Sequence, residues 1–238
     1  MREINKLISG YNYNAGDVSR IKYIVIHYTG ALGDAKANCN YFAGGNRNAS
    51  AHYFVGYDGA IWQSVEDKNI AWHCGAKSYK HAECRNANSI GIEMCVRKKS
   101  TASMGATDKD WYFEDATVEA AAELTRYLMD KYNVPASHVI RHYDVTGKIC
   151  PNPYAYNTTA HTWEEFKQLL SGIGPDTPLG RIVAIRSETD KRTLKRFTKE
   201  QRRIRNRWLR KKAQRVSGPD MDKVLEGLKQ SFIQMAGR

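Results

Sequence analysis

No apolar run in the 238 residues approaches the length of about eighteen that a membrane-spanning helix needs. The opening stretch, Met1 to Gly10, carries charges of both signs and lacks the apolar segment of a secretory leader. The expectation is therefore a chain made in the cytoplasm without a signal peptide. Cysteine is sparse and irregular: Cys39, Cys74, Cys84, Cys95 and Cys150 are odd in number and do not make a disulfide framework. They are expected to be reduced, with Cys74–Cys84 as the alternative pairing. Residues 1–180 also lack net charge, with 19 Lys/Arg against 19 Asp/Glu.

The whole formal charge of +12 falls in residues 181–215, which hold 15 basic residues against 3 acidic ones. A neutral domain with a basic appendage suggests two tasks, the appendage meeting something anionic. No zinc-finger, homeodomain or zipper pattern accompanies the basic block, so nucleic acid is an unlikely partner. Gly172 to Gly174 and the Pro175–Gly180 stretch start a linker, 175–190. Beyond it, Leu194, Phe197, Ile204 and Trp208 share a helical face, and after Ser217-Gly218-Pro219 so do Met221, Val224-Leu225, Leu228, Phe232 and Met235. Residues 191–238 are expected to form an α-helical hairpin, too small to be stable alone, that targets a surface or makes a homo-oligomer.

Before the linker, strand and helix signals alternate. Lys22 to Thr29 is β-branched and apolar, as a buried strand requires. Asp34 caps a helix over 35–42. Asp58-Gly59 joins two alternating runs into a hairpin. Ser89 to Val96 and Val139 to Arg141 are further strands. Helices are expected over 117–132 and, with Thr162 and Glu165 as a capping box, over 163–170. Residues 1–20 read as a loosely ordered lead-in, 66–88 as a long loop and 97–111 as a mobile surface excursion. The fold class is α/β, a mixed central sheet flanked by helices, within a domain spanning 1–174 with its core at 20–171.

Arg141-His142-Tyr143-Asp144-Val145-Thr146-Gly147-Lys148-Ile149-Cys150-Pro151 places a histidine and a cysteine on a strand end and the loop after it. Imidazole and thiolate are the groups zinc prefers. On that pair alone, a surface histidine and a buried cysteine is the better reading. His27, ending the first core strand, changes it: two histidines and one cysteine leave the fourth tetrahedral position open, the mark of a catalytic site. Glu93, a lone carboxylate on the apolar strand Ile90-Gly91-Ile92-Glu93-Met94, is either solvent-facing or a perturbed general base.

Several separated motifs resemble one family: Ile24 to Thr29, Ser50-Ala51-His52-Tyr53-Phe54-Val55, Ala71-Trp72-His73-Cys74-Gly75, Asn88 to Glu93, and the His142–Cys150 segment. In this order over residues 20–170 they are similar to the zinc-dependent N-acetylmuramoyl-L-alanine amidases, which share a fold with peptidoglycan recognition proteins and certain phage lysozymes. The resemblance implies Zn2+ at His27, His142 and Cys150, Glu93 as general base and Lys148 as the oxyanion partner. It also implies peptidoglycan or muropeptides as substrate. His52 is expected to shuttle protons or support a ligand. Trp72, His73, Tyr28 and Thr29 are assigned to substrate contact. Inactive, purely binding members lack the cysteine ligand, so Cys150 argues for an enzyme. The basic tail, residues 181–215, suits anionic wall polymers or a membrane surface. An endolysin released to the wall is therefore the expected role; a muropeptide-recycling amidase or an autolysin is the alternative.

Overall fold

The computed structural model describes residues 1–171; the linker and the helical hairpin expected from the sequence lie outside the described residues. In chain order the elements are β1 (Ile4–Lys6), β2 (Tyr13–Asn14), β3 (Tyr23–Tyr28), α1 (Ala35–Ala43), β4 (Tyr53–Val55), β5 (Ile61–Gln63), β6 (Ile70–Ala71) and β7 (Ser89–Met94). Then come β8 (Arg97–Lys98), β9 (Trp111–Tyr112), α2 (Asp115–Tyr132), β10 (Val139–Arg141), α3 (His142–Thr146), α4 (Asn152–Tyr156) and α5 (Trp163–Leu170).

Every residue of β3 is buried, which is what a run of β-branched and apolar residues predicts for a strand covered on both faces. It lies between β7 and β10 in a six-stranded sheet of order β1-β5-β4-β7-β3-β10. The pairs β4–β7, β7–β3 and β3–β10 are parallel, β4–β5 is the antiparallel Asp58-Gly59 hairpin, and β1 joins β5 in parallel. The sheet is thus mixed and helix-flanked, as expected.

Side chains alternate across a strand. Ile24, Ile26, Tyr28, Ile90, Ile92 and Met94 share one core with Val118, Ala121, Leu124 and Leu128 of α2 and with Phe166 of α5. The alternate residues Tyr23 and Val25 pack on the opposite side with Cys74, Cys84 and Val145. All five cysteines are free and buried. Asp34 caps α1 by accepting from the Ala37 N–H at 2.7 Å, and Thr162 with Glu165 forms the capping box of α5. α2 begins two residues earlier than its apolar stripe indicates and ends at Asn133 in the left-handed region, φ 52°, before Val134-Pro135.

Four segments depart from the sequence reading. The lead-in supplies β1, an edge strand whose Ile-Asn-Lys carries no period-two signal and is ordered by pairing with Ile61–Gln63. The long loop contains β6, paired with β2. The surface excursion is bracketed by the β8–β9 ribbon and is tied to the domain: Ala106 O accepts from Tyr28 Oη and Asn152 Nδ2, and Asp108 O from the same amide. His142 is not on a loop but opens α3, one turn stopped by Gly147 at φ 86°; a single turn is too short to show helical periodicity.

Candidate active site

The site forms at the carboxyl ends of three adjacent parallel strands, where open α/β sheets bind ligands. Residues paired in register across parallel strands project to the same face. His27 pairs with Glu93, and Arg141 with Ile26, so His142 follows directly onto the end of the same ladder. Cys150 returns through α3, its carbonyl accepting from the Tyr143 N–H at 2.7 Å.

One nitrogen from each of His27 and His142 and the Cys150 sulfur lie within 4.8 Å of one another, and all three residues are buried. Tetrahedral Zn–N and Zn–S bonds of about 2.05 and 2.3 Å set a nitrogen–sulfur separation of about 3.5 Å. His27 Nδ1 stands 3.6 Å from Cys150 Sγ. His142 Nδ1 and Glu93 Oε2 are buried without a hydrogen-bond partner among the described residues. Buried polar atoms are seldom left unpaired, and two beside a thiol and a second imidazole fit a cation-binding site. Burial holds His27 and His142 in the neutral form that a metal requires, lowering His142 to about 3. Burial also raises the Cys150 thiol, opposed by the Tyr28 backbone N–H and by Lys148; a coordinated cation reverses that balance and deprotonates the sulfur.

Glu93 Oε1 is 4.0 Å from His27 Nδ1. Desolvation pushes its carboxyl up to about 8, opposed by the charge of Lys148. A carboxyl near neutrality is suited to taking and returning a proton. The exposed Lys148 borders a cleft of about 750 Å³, together with Trp72, His73, His142, Asn48 and Lys77. The cleft meets the cluster at His142, which belongs to its lining, and is large enough for a sugar–peptide fragment.

The family profile described as N-acetylmuramoyl-L-alanine amidase matches residues 17–153, more than half of the chain. The chain belongs to this family. Amidase CwlL of Bacillus licheniformis is 30% identical over 183 residues, covering 73% of this chain and 47% of that protein. The 1,6-anhydro-N-acetylmuramyl-L-alanine amidase AmpD of Escherichia coli is 31% identical over 146 residues, 60% of this chain and 70% of AmpD. Among solved structures, PlyL superimposes with a TM-score of 0.57 at 25% identity, covering 71% of this chain and 97% of PlyL. The chain spans about half the length of the first curated relatives it matches.

Within this amidase-family domain the remaining candidates separate. Trp72 and His73 line the cleft. Tyr28 does not: its ring packs edge-on to Trp111 and its hydroxyl bonds the Ala106 carbonyl. Thr29 donates its hydroxyl to Ala31 O and is likewise outside the lining. His52 is the clearest departure. Its Nδ1 accepts from the Gly91 N–H at 3.0 Å, which leaves Nε2 to donate to Asn69 O at 3.0 Å. Nε2 also lies 3.0 Å from Arg20 Nη2, so neither nitrogen is free; the residue is fully buried, and desolvation lowers its pKa to about 3. A proton shuttle needs a free nitrogen near the cleft, and His52 has none.

Two contacts escaped the sequence reading. Asn86 Oδ1 accepts from the N–H groups of both His73 and Cys74, pinning the turn that carries the cleft residues. His73 Nδ1 also lies 3.0 Å from His27 Nε2. His27 and His73 stand in separate motifs that only tertiary packing joins, and Asn86 lies outside every motif.

Proposed function

We propose that this chain is a zinc-dependent peptidoglycan amidase that cleaves the amide between the lactyl group of N-acetylmuramic acid and L-alanine. The observation that carries the proposal is the convergence of His27, His142 and Cys150 within 4.8 Å beside Glu93 and an open cleft. Zinc held by these three residues would polarise the amide carbonyl and lower the pKa of a bound water from 15.7 to about 7. Glu93 takes the attacking water's proton and delivers it to the departing alanine amine. Lys148 faces the negative charge that develops on the carbonyl oxygen. Trp72 and His73 form the wall that orients the sugar and the stem peptide. Mass spectrometry of fragments released from purified walls should find free L-alanine amines and no new reducing sugars. New reducing ends would make the protein a glycosidase.

For the biological setting we favour an endolysin, released to the wall through a pore formed by another protein. The 12-charge basic surplus in residues 181–215 suits a target rich in anionic polymers, and one similar solved structure is titled a mutant endolysin from Bacillus subtilis. Recycling of soluble fragments is the second reading, supported by the 70% coverage of AmpD. Turnover of intact walls against that of soluble 1,6-anhydromuropeptides separates the two. Wall binding should weaken as salt rises, because the reach of surface charge falls to about 8 Å at physiological ionic strength. Wall binding indifferent to salt, with self-association in sedimentation, would assign residues 191–238 to assembly instead.

A further inference from the structure

The odd-numbered face of β7 explains an arrangement that ligand chemistry alone does not. Ser89, Gly91 and Glu93 point to one side of the sheet, in register with Tyr23, Val25 and His27. The His73 ring lies over Gly91, where an added Cβ would stand 2.6 Å from His73 Cγ. Glycine at 91 therefore gives the imidazole its seat. From that seat His73 reaches Ser89 Oγ with Nε2 at 3.1 Å and His27 Nε2 with Nδ1 at 3.0 Å. Its own backbone N–H is held by Asn86, and the residue is 92% shielded, with 8% exposed.

The proton positions along this row follow from its far end. Ser89 Oγ lies 2.6 Å from the Arg85 carbonyl, an acceptor only, so the hydroxyl proton is committed there. Toward His73 the serine must accept, which puts the His73 proton on Nε2. A neutral imidazole carries one such proton, so Nδ1 holds a lone pair and must accept from His27 Nε2–H. That leaves the His27 lone pair on Nδ1, facing Cys150 Sγ at 3.6 Å and Glu93. The reversed row would place a proton on His27 Nδ1 and close that nitrogen to a cation. It would also require Ser89 to give up Arg85 O.

We propose that His73 and Ser89 are a positioning pair that fixes the His27 tautomer, so that Nδ1 is free to hold the metal. His73 thus has a role besides lining the cleft. The inference rests on the metal-site reading above. Groups that hold the second nitrogen of a metal-binding histidine typically change metal affinity by about 10–100-fold when removed.

The test uses the full chain and zinc ion alone, titrated against a chromogenic chelator. His73→Leu should weaken zinc binding by about 10–100-fold. His73→Asn, whose Oδ1 falls where Nδ1 was and can accept from His27, should stay within about threefold of wild type on the same scale. Nitrogen-15 spectra of the zinc-free wild type should show His27 protonated at Nε2, and His73→Leu should show a mixture of tautomers. A wild-type chain that takes up no zinc would remove the metal site itself. Wild-type binding with His73→Leu within about threefold of it would overturn the positioning pair alone. Should His73→Leu fail to fold, the wild-type spectrum still decides: a zinc-free His27 protonated at Nδ1 overturns the proposal. Ser89→Ala, which frees the proton on His73, should then give mixed His27 tautomers, and an unchanged spectrum would remove Ser89 from the pair.

Discussion

The two faces of strands β3 and β7 are built from the same twelve residues and do opposite work. On one face Ile24, Ile26, Tyr28, Ile90, Ile92 and Met94 pack against α2. On the other, Tyr23, Val25 and His27 stand in register with Ser89, Gly91 and Glu93. The first face is apolar and close-packed. The second carries a histidine, a carboxylate, a hydroxyl and a vacant Cβ position filled by His73. Alternation lets one strand serve both, because its two faces are set independently. Burial on the first face stabilises the fold, whereas burial on the second shifts pKa values, raising Glu93 to about 8 and holding His27 well below the ordinary imidazole value. Substitutions on the chemical face should therefore alter metal binding or turnover while leaving the fold, and substitutions on the packing face the reverse.

Removing a ligand should have the largest effect. His27→Ala and Cys150→Ser should each lose tightly held zinc by metal analysis and nearly all turnover, with the helical and sheet content intact by circular dichroism. Retention of zinc in both variants would break the comparison at its centre. Loss of bound zinc should also lower thermal stability, since a ligand that binds only the folded state stabilises it.

Glu93→Ala should keep zinc and lose turnover by about 10²–10⁴-fold. Lys148→Ala should keep zinc and cost about 10²–10³-fold, the usual loss for one oxyanion donor. The lysine carries a second signature. Its charge lowers the Glu93 pKa, so its removal should move the acidic limb of the pH–rate profile to higher pH. An unmoved limb would separate Lys148 from Glu93. On the packing face, Ile92→Ala should cost about 2–5 kcal/mol of stability while the folded fraction keeps its zinc and its turnover per site.

The packing face was the more legible in the sequence. Ile24, Ile26, Ile90 and Ile92 declare buried strands by residue type, and the α2 stripe by its period. The three candidate ligands were legible because His27 and His142 are metal-binding types at or just beyond strand ends and Cys150 follows in the same segment as His142, and Glu93 because it is a lone charge among apolar neighbours. What was missed depends on contacts between distant segments. Nothing local to His73 announces His27, 46 residues away. His52 and Tyr28 carry site-like chemistry, but their polar atoms are occupied by the Gly91, Asn69 and Ala106 main chain. Partner satisfaction is a tertiary property, so residue type alone overstates their part in the chemistry. The same reasoning covers β1, a strand by pairing rather than by composition.

His52 permits the finest test, because it sits beside the chemical face yet belongs to the packing. Its folded pKa is lowered from 6.5 to about 3 by desolvation. Between those values the unfolded chain binds a proton at this position and the folded chain does not. Stability therefore rises with pH wherever the unfolded state holds more protons: it is fully present above about 6.5 and falls as pH drops toward about 3. One such proton gives a slope of about 1.4 kcal/mol per pH unit. His27 and His142 push in the same direction, so the wild-type slope alone does not isolate His52. His52→Asn does, since Oδ1 can still accept from the Gly91 N–H and Asn69 O keeps its Arg20 donor. The smaller side chain lowers stability at every pH, but the decisive reading is the slope. Denaturant titrations of metal-free protein between pH 4 and 6 should show a shallower slope in His52→Asn, by up to about 1.4 kcal/mol per pH unit. An equal slope in both proteins would mean that folded His52 titrates normally, and that the nitrogen assigned here to Asn69 is free to exchange protons after all.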